Sequence, residues 1–279
     1  MNDETGGEGA EYENGTTVES EVTRRWILCA AAAACSLCLA GCARRPVERV
    51  EWTTMGTVAA VQTRGGGVAA MRKVVQEAFE DVRREFDAHD PQSAINRLGG
   101  CTDFGRPCHE CALRLREESG GVFNHEWRGK GKLDYGAIAK GFAVDVAAER
   151  LKAAGLQDAD ALIDLGGNLK AVKGDWRVGI KDPFGSGVCR EILLKEGESL
   201  ATSATYFRGA HIRDGRTGEA AEGSGVASVT VRCESAMLAD GLSTTLFILG
   251  PAKGLDFLSR HGGGARAFFV MSDGSIVEN

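Results

Sequence analysis

The 279 residues carry 33 Lys and Arg against 39 Asp and Glu, a formal net charge of −6, with 43% hydrophobic and 26% charged residues. That balance is that of a soluble globular protein long enough for one large domain or two small ones. A mildly acidic chain with no basic stripe argues against nucleic acid as its main partner.

Residues 1–22 are acidic, polar and without apolar period, which predicts a disordered tail. Residues 23–42 then have the layout of an export signal: Arg24 and Arg25, an apolar Ala/Cys/Leu run, and small residues before Cys42. The run is short for a membrane span. Its end, Leu-Ala-Gly-Cys, resembles a bacterial lipobox, and the paired arginines resemble a twin-arginine signal. The expectation is a lipoprotein: Cys42 lipidated, residues 43–51 a tether, and one folded domain over 52–279 held outside the cytoplasm at a membrane. Of the nine cysteines, Cys101, Cys108, Cys111, Cys189 and Cys233 would remain in that domain, an odd number that cannot all pair internally. Cys108-His109-Glu110-Cys111 has redox or metal-ligand spacing, but no second ligand pair follows, so a local disulfide or packed thiols are expected.

Within the domain, residues 58–63 alternate as a strand and three glycines at 65–67 make a turn. Met71, Val74, Val75, Ala78, Phe79, Val82 and Phe86 give a helical period over 68–86. A short helix is expected near Ser93 and a longer one over 108–119, ended by Gly120 and Gly121. Residues 127–132 form a basic, glycine-rich loop without the Gly-Lys-Ser/Thr ending of a phosphate-binding loop. Then comes the stretch 133–145, Leu-Asp-Tyr-Gly-Ala-Ile-Ala-Lys-Gly-Phe-Ala-Val-Asp, a loop turning into a helix that Gly155 ends. Its small residues predict a close approach of backbone to another group. A buried strand over 161–165 runs into Gly166, Gly167 and Asn168, and further strands are expected over 176–180 and 191–195. Residues 201–208 and 211–218 read as polar connections, 226–232 as a strand, 239–250 and 251–260 as two helices, and 267–271 as a last strand. No repeat appears, and the order of elements predicts an α+β domain.

Asp240 and Thr244 are four apart on a helix and so share a face. Both offer oxygen, the ligand type of a hard cation such as Mg²⁺, but ligand phosphates and a backbone carbonyl would have to complete its shell. His211 is a candidate proton acceptor. Neither a Gly-x-Ser-x-Gly elbow nor a Gly-x-Gly-x-x-Gly fingerprint is present.

Taken together and in order, several stretches resemble one family, the ApbE-type FAD:protein FMN transferases. They are Met55-Gly56-Thr57, residues 90–98, Gly121-Val122-Phe123-Asn124, residues 133–145, Asp164 to Asn168, residues 176–183, Ala201-Thr202-Ser203, His211 to Asp214 with Thr217-Gly218, and Ala239 to Thr244. The resemblance spans the chain from about Trp52 to its end. It implies a single α+β domain of mixed and antiparallel β-sheets flanked by helices. It implies a Mg²⁺-dependent enzyme that splits FAD, passes FMN as a phosphoester to a Thr or Ser hydroxyl of an exported acceptor protein, and releases AMP. By position, the carbonyl of Ala137 and the side chains of Asp240 and Thr244 would hold the metal. Asp134 and Lys140 would line the FAD site, Met55, Gly166 and Gly167 would lie near the ligand, and His89 would stand where an aromatic ring stacks on the flavin. His211 would be the base and Asp240 the second catalytic residue. Asn124, Ala204 and Gly215 depart from the family's Asp, Gly and Pro. The competing readings are a Mg²⁺-dependent FAD pyrophosphatase and a non-catalytic FAD-binding lipoprotein.

Overall fold

The computed structural model describes residues 46–156, 158–204, 212–221 and 224–279. The expected tail, export signal and lipidated Cys42 therefore lie outside the described residues, as does His211.

The centre is an eight-stranded sheet in the order β1 (Val47–Thr54), β2 (Thr57–Arg64), β3 (Asp160–Leu165), β4 (Asn168–Lys173), β7 (Ser199–Ala204), β8 (Val226–Cys233), β9 (Arg266–Met271) and β10 (Ile276–Glu278). Every neighbouring pair is antiparallel. A separate hairpin, β5 (Trp176–Lys181) with β6 (Val188–Leu194), interrupts the sequence between β4 and β7. The helices are α1 (Val68–Phe86), α2 (Ala94–Leu98), α3 (Arg106–Glu118) and α4 (Ala139–Ala153), all between β2 and β3, and α5 (Ala236–His261) between β8 and β9. The expected α+β class is what is found.

Strand alternation assigns the two faces of the sheet. Ala161, Ile163 and Leu165 join the core beneath the helices, as do Val229, Val231 and Phe269. Leu162, Ala171 and Leu200 point the other way and meet Trp176, Val178 and Leu194 of the hairpin, while Phe268 and Val270 meet its Ile180. The result is three layers, helices, sheet and hairpin, which is why β8 and β9 are buried on both faces.

Helix α1 buries the stripe foreseen from its period, with Phe79 stacked 6.1 Å from Trp52 of β1. Helix α4 is buried on most of its surface, including Gly141, Phe142, Ala143, Val144, Ala147, Ala148 and Leu151, because it lies between other elements and not at the surface. Gly250 leaves helical geometry inside α5 (φ 70°, ψ 174°), so the segments on either side are distinct helices, as Gly250-Pro251 predicts.

Two expectations are corrected, and one strand is found where none was expected. The tether over 43–51 becomes strand from Val47 onward, because Val50 and Trp52 alternate inward against α1. Residues 201–204, the start of the stretch 201–208 read as a polar connection, belong to β7: Ala201 and Ser203 face the helices while Thr202 pairs with Thr230 across the sheet at 2.8 Å. Residues 168–173 form β4, hidden in the sequence by Asn168, Lys170 and Lys173. Lys170 is buried there, its ammonium donating to Asp145 at 3.0 Å, Ser199 Oγ at 3.2 Å and the Glu234 carbonyl at 2.7 Å.

Candidate active site

The start of α4 meets the start of α5 at Gly141 and Asp240. A Cβ on Gly141 would sit 2.2 Å from the Ala236 carbonyl oxygen and 2.8 Å from Asp240 Cβ, so only glycine lets the two helices come this close. At that contact the Gly141 amide donates to Asp240 Oδ2 at 2.9 Å. The Lys140 ammonium stands 3.5 Å from Oδ1 and 3.4 Å from Oδ2, and also 3.4 Å from the Gly136 carbonyl. These are long for charge-assisted bonds, which close at about 2.7–2.9 Å. Asp240 is only 4% exposed. A buried carboxylate held by one amide and a distant ammonium has charge left to neutralise.

One turn further, α5 presents Ser243, Thr244 and Thr245 in succession. Ser243 and Thr245 return their hydroxyls to the helix, donating to the Asp240 and Gly241 carbonyls at 2.9 Å and 2.8 Å. Thr244 does not; its Oγ1 lies 3.3 Å from Ser203 Oγ of β7, which is 2.8 Å from Ser243 Oγ. Asp240 and Thr244 thus share a face, as their spacing predicts, and Ser203 joins them from the sheet. Ser203 lies in the Ala201-Thr202-Ser203 stretch that carries the resemblance, but reading 201–208 as a connection gives it no place beside Thr244; the period-two pair Ala201 and Ser203 is the signal that would have done so.

Before α4 the chain makes a tight turn. The Tyr135 carbonyl accepts from the Ile138 and Ala139 amides at 3.0 Å and 2.8 Å, leaving Gly136 and Ala137 at its tip. Asp134 Oδ1 accepts from the Gly136 amide at 2.9 Å. Asp134, Gly136, Lys140 and Asp240 are therefore brought together by direct bonds, with half-buried Ala137 in the turn between them.

The glycine turns lie at the same end of the sheet. Met55 and Gly56 form the two-residue β1–β2 turn with φ of 48° and 68°, and Met55 is the one non-glycine residue with positive φ among the described residues. Gly166 sits against that turn: its amide donates to the Val58 carbonyl at 3.0 Å, and a Cβ there would lie 2.5 Å from Thr57 Oγ1. Gly167 donates to Asp164 Oδ1 at 3.0 Å, and burial pushes the Asp164 carboxyl above its usual range. The antiparallel register of β4 with β7, Leu169 opposite Leu200, runs these glycines toward the Ser203 end.

His89 is not drawn into this group; it is exposed, with its amide on Asp87 Oδ1 at 2.9 Å. The five domain cysteines are free, and burial pushes each thiol upward, Cys233 to about 12. Cys108 and Cys111 are core side chains. Of the alternatives the Cys-x-x-Cys spacing leaves open, packed thiols are what the fold contains. Among the described residues no three His, Cys, Asp or Glu side chains form a metal-binding group.

His125, behind the turn, is 2% exposed, its Nδ1 without a hydrogen-bond partner and its ring stacked 5.3 Å from Tyr135. Burial, reinforced by His109, depresses its pKa from 6.5 to about 4. The unfolded chain therefore takes up this proton first as pH falls. The stability held above pH 6.5 should drain away between there and pH 4, by about 1–2 kcal/mol at pH 5. Urea denaturation at pH 7 and pH 5 measures this, and His125→Phe, which keeps the stacked ring, should remove that share of the pH dependence.

The ApbE family's sequence profile matches residues 112–269. A curated FAD:protein FMN transferase of Rhodobacter capsulatus is 40% identical over 132 residues, 43% of this chain and 24% of that protein. One of Treponema pallidum (strain Nichols) is 35% identical over 164 residues, 51% of this chain and 44% of that protein. The matched stretches thus span less than half the length of these relatives. The crystal structure of the ApbE protein from Thermotoga maritima superposes with a TM-score of 0.74, covering 84% of this chain and 97% of that one; at 22% identity the likeness is one of fold.

Proposed function

This chain belongs to the ApbE family, and from that premise we propose that it is a Mg²⁺-dependent FAD:protein FMN transferase acting on a Thr or Ser hydroxyl of an exported acceptor, with AMP as leaving group. The observation that carries the reading is the incompletely neutralised Asp240 carboxylate, buried beside Lys140 and the Gly141 amide and one helical turn from the Thr244 hydroxyl. The donor set is all oxygen and contains one full charge, which suits a hard cation shared with phosphate oxygens. Asp240, Thr244 and the Ala137 carbonyl would hold Mg²⁺. Bound there, it would supply charge neutralisation at the pyrophosphate, where phosphoryl transfer gains most.

The chain's own residues do the rest. Lys140 adds a positive charge at the rim, half-exposed and able to swing from Asp240 to a phosphate oxygen. Asp134, with Oδ1 committed to Gly136, keeps its second oxygen for a ligand hydroxyl or amine. The Gly166–Gly167 turn offers backbone without side-chain bulk to a flat ligand, and Met55, beside Gly56, offers a half-buried apolar side chain. His211 accepts the proton of the acceptor hydroxyl as its oxygen attacks the FMN phosphorus and the bond to AMP breaks.

Full-length protein incubated with FAD, Mg²⁺ and a candidate acceptor decides among the readings. Covalent flavin on the acceptor supports transfer, FMN and AMP alone indicate a pyrophosphatase, and unchanged FAD a binding protein. Ala137→Trp, which adds a large side chain at the tip of the turn, should weaken FAD binding at least about 100-fold by flavin fluorescence while circular dichroism stays as in the parent. Unchanged affinity would reduce this turn to a helix start. For location, we propose export through residues 23–42 and anchoring by lipid on Cys42. Cys42→Ser should then move the protein from the membrane fraction to the soluble one.

A further inference from the structure

We propose that His109 and Tyr135 are a positioning pair that sets the Gly136–Ala137 turn against Asp240, and so governs how tightly a divalent cation is held together with FAD; the inference rests on the transferase reading of the site. Tyr135 is the largest fully buried side chain among the described residues. It stands in the middle of a segment that is otherwise half-exposed: Asp134, Gly136 and Ala137 all reach the surface in part. Its backbone carries the turn, through the bonds from Ile138 and Ala139 to its carbonyl, and its neighbour Asp134 is tied by its amide to the His125 carbonyl at 2.8 Å. The turn is therefore anchored on both sides, by buried Ile138 after it and by buried Tyr135 before it.

Apolar packing fixes the plane of that side chain, with Phe86 at 4.5 Å and 51° and His125 at 5.3 Å and 27°. Stacking alone resists sliding along the ring poorly, because dispersion varies slowly with in-plane displacement. The hydroxyl supplies the missing restraint: Tyr135 OH and His109 Nδ1 are 2.7 Å apart. Either atom can be the donor, and the bond restrains the ring in both cases. His109 projects from α3, whose Cys108 and Cys111 on the same helix are locked in the core. The Cys-His-Glu-Cys segment thus serves as a rigid post: the cysteines seat the helix and the histidine between them pins the ring. A displacement of the ring along its own plane would be passed directly to the Gly136 and Ala137 carbonyls, the first of which already touches Lys140. Ligand-supporting bonds of this kind commonly change metal affinity about 10–100-fold when removed.

The test is titration of the full-length protein with FAD, followed by flavin fluorescence, with and without Mg²⁺. In the parent Mg²⁺ should tighten FAD binding. In Tyr135→Phe, which loses only the hydroxyl, that Mg²⁺-dependent tightening should fall about tenfold while the Mg²⁺-free Kd and the Tm stay near those of the parent. His109→Leu should do the same, His109→Asn, which keeps a hydrogen-bonding atom at the δ position, should restore most of the response, and the double variant should be no worse than either single one. A parent that responds to Mg²⁺ with Tyr135→Phe and His109→Leu responding equally would overturn the positioning pair alone. A parent that binds no FAD under either condition would remove the reading of the site, and the pair's role with it.

Discussion

Asp240→Asn is expected to lower covalent flavin transfer by about 10²–10³-fold or more, with the fold intact. The choice of asparagine follows from the two tasks the carboxylate performs. One is structural: Oδ2 accepts from the Gly141 amide at 2.9 Å and so joins α5 to α4. Alanine would leave that buried donor unsatisfied, at a cost of about 1–3 kcal/mol, and any loss of activity would be mixed with loss of structure. The asparagine carbonyl still accepts from Gly141. What it lacks is the charge, which Lys140 at 3.4–3.5 Å neutralises only in part. If the charge is there to hold a cation against the pyrophosphate, Asp240→Asn should lose FAD cleavage and FMN transfer alike, raising Mg²⁺ does little, and the Tm moves by a few degrees at most. Transfer at the parental rate in Asp240→Asn would make the carboxylate merely a bracket between helices.

How far this site is legible in the sequence depends on which interaction one asks about. The helices announce themselves where one face is apolar: α1 is read to its ends because Met71, Val75, Phe79, Val82 and Phe86 repeat at helical spacing and are buried. Strands with one polar face and hydroxyls on the other are not read. In β7 both Ser203 and Thr202 find partners, one on α5 and one on β8, so neither face looks apolar. β1 is lost for a related reason, since at a sheet edge its Val47, Glu48 and Arg49 are exposed and look like linker. Within the site, the Asp240–Thr244 spacing is local and visible. The meeting of Lys140 with Asp240 joins positions 100 residues apart, and nothing in either segment's period encodes it. The small residues over 136–141 predict a close approach without naming the partner, and the structure supplies it: the Ala236 carbonyl. The Cys-His-Glu-Cys segment draws attention to its sulfurs, yet its polar contact with the site is made by His109.

Gly141→Ala is expected to destabilise the protein by about 2–4 kcal/mol, against the general rule. In an ordinary helix interior, replacing glycine by alanine gains up to about 1 kcal/mol through the unfolded chain. Here the added methyl would lie 2.2 Å from the Ala236 carbonyl oxygen, 2.7 Å from its carbon and 2.8 Å from Asp240 Cβ. Backbone contacts at that distance are relieved only by moving a helix. The start of α5 is not free to move, because Asp145, one turn further along α4, holds it. Its carboxylate accepts from the Ala236 and Met237 amides at 3.1 Å and 3.0 Å and from Ser235 Oγ at 2.8 Å, and it is itself paired with buried Lys170. Pushed apart at Gly141 while tied at Asp145, the two helices must splay, and the splay opens at Asp240. The loss of flavin transfer should therefore exceed what the fall in folded fraction explains, and it should persist at temperatures where the variant is fully folded. Gly100→Ala is the control, since a Cβ there has nothing within 4 Å and no positive φ opposes it. Urea denaturation of both variants reads the difference directly. A Gly141→Ala protein as stable as Gly100→Ala would mean that the α4–α5 contact yields, and that the position of Asp240 does not depend on glycine at this point.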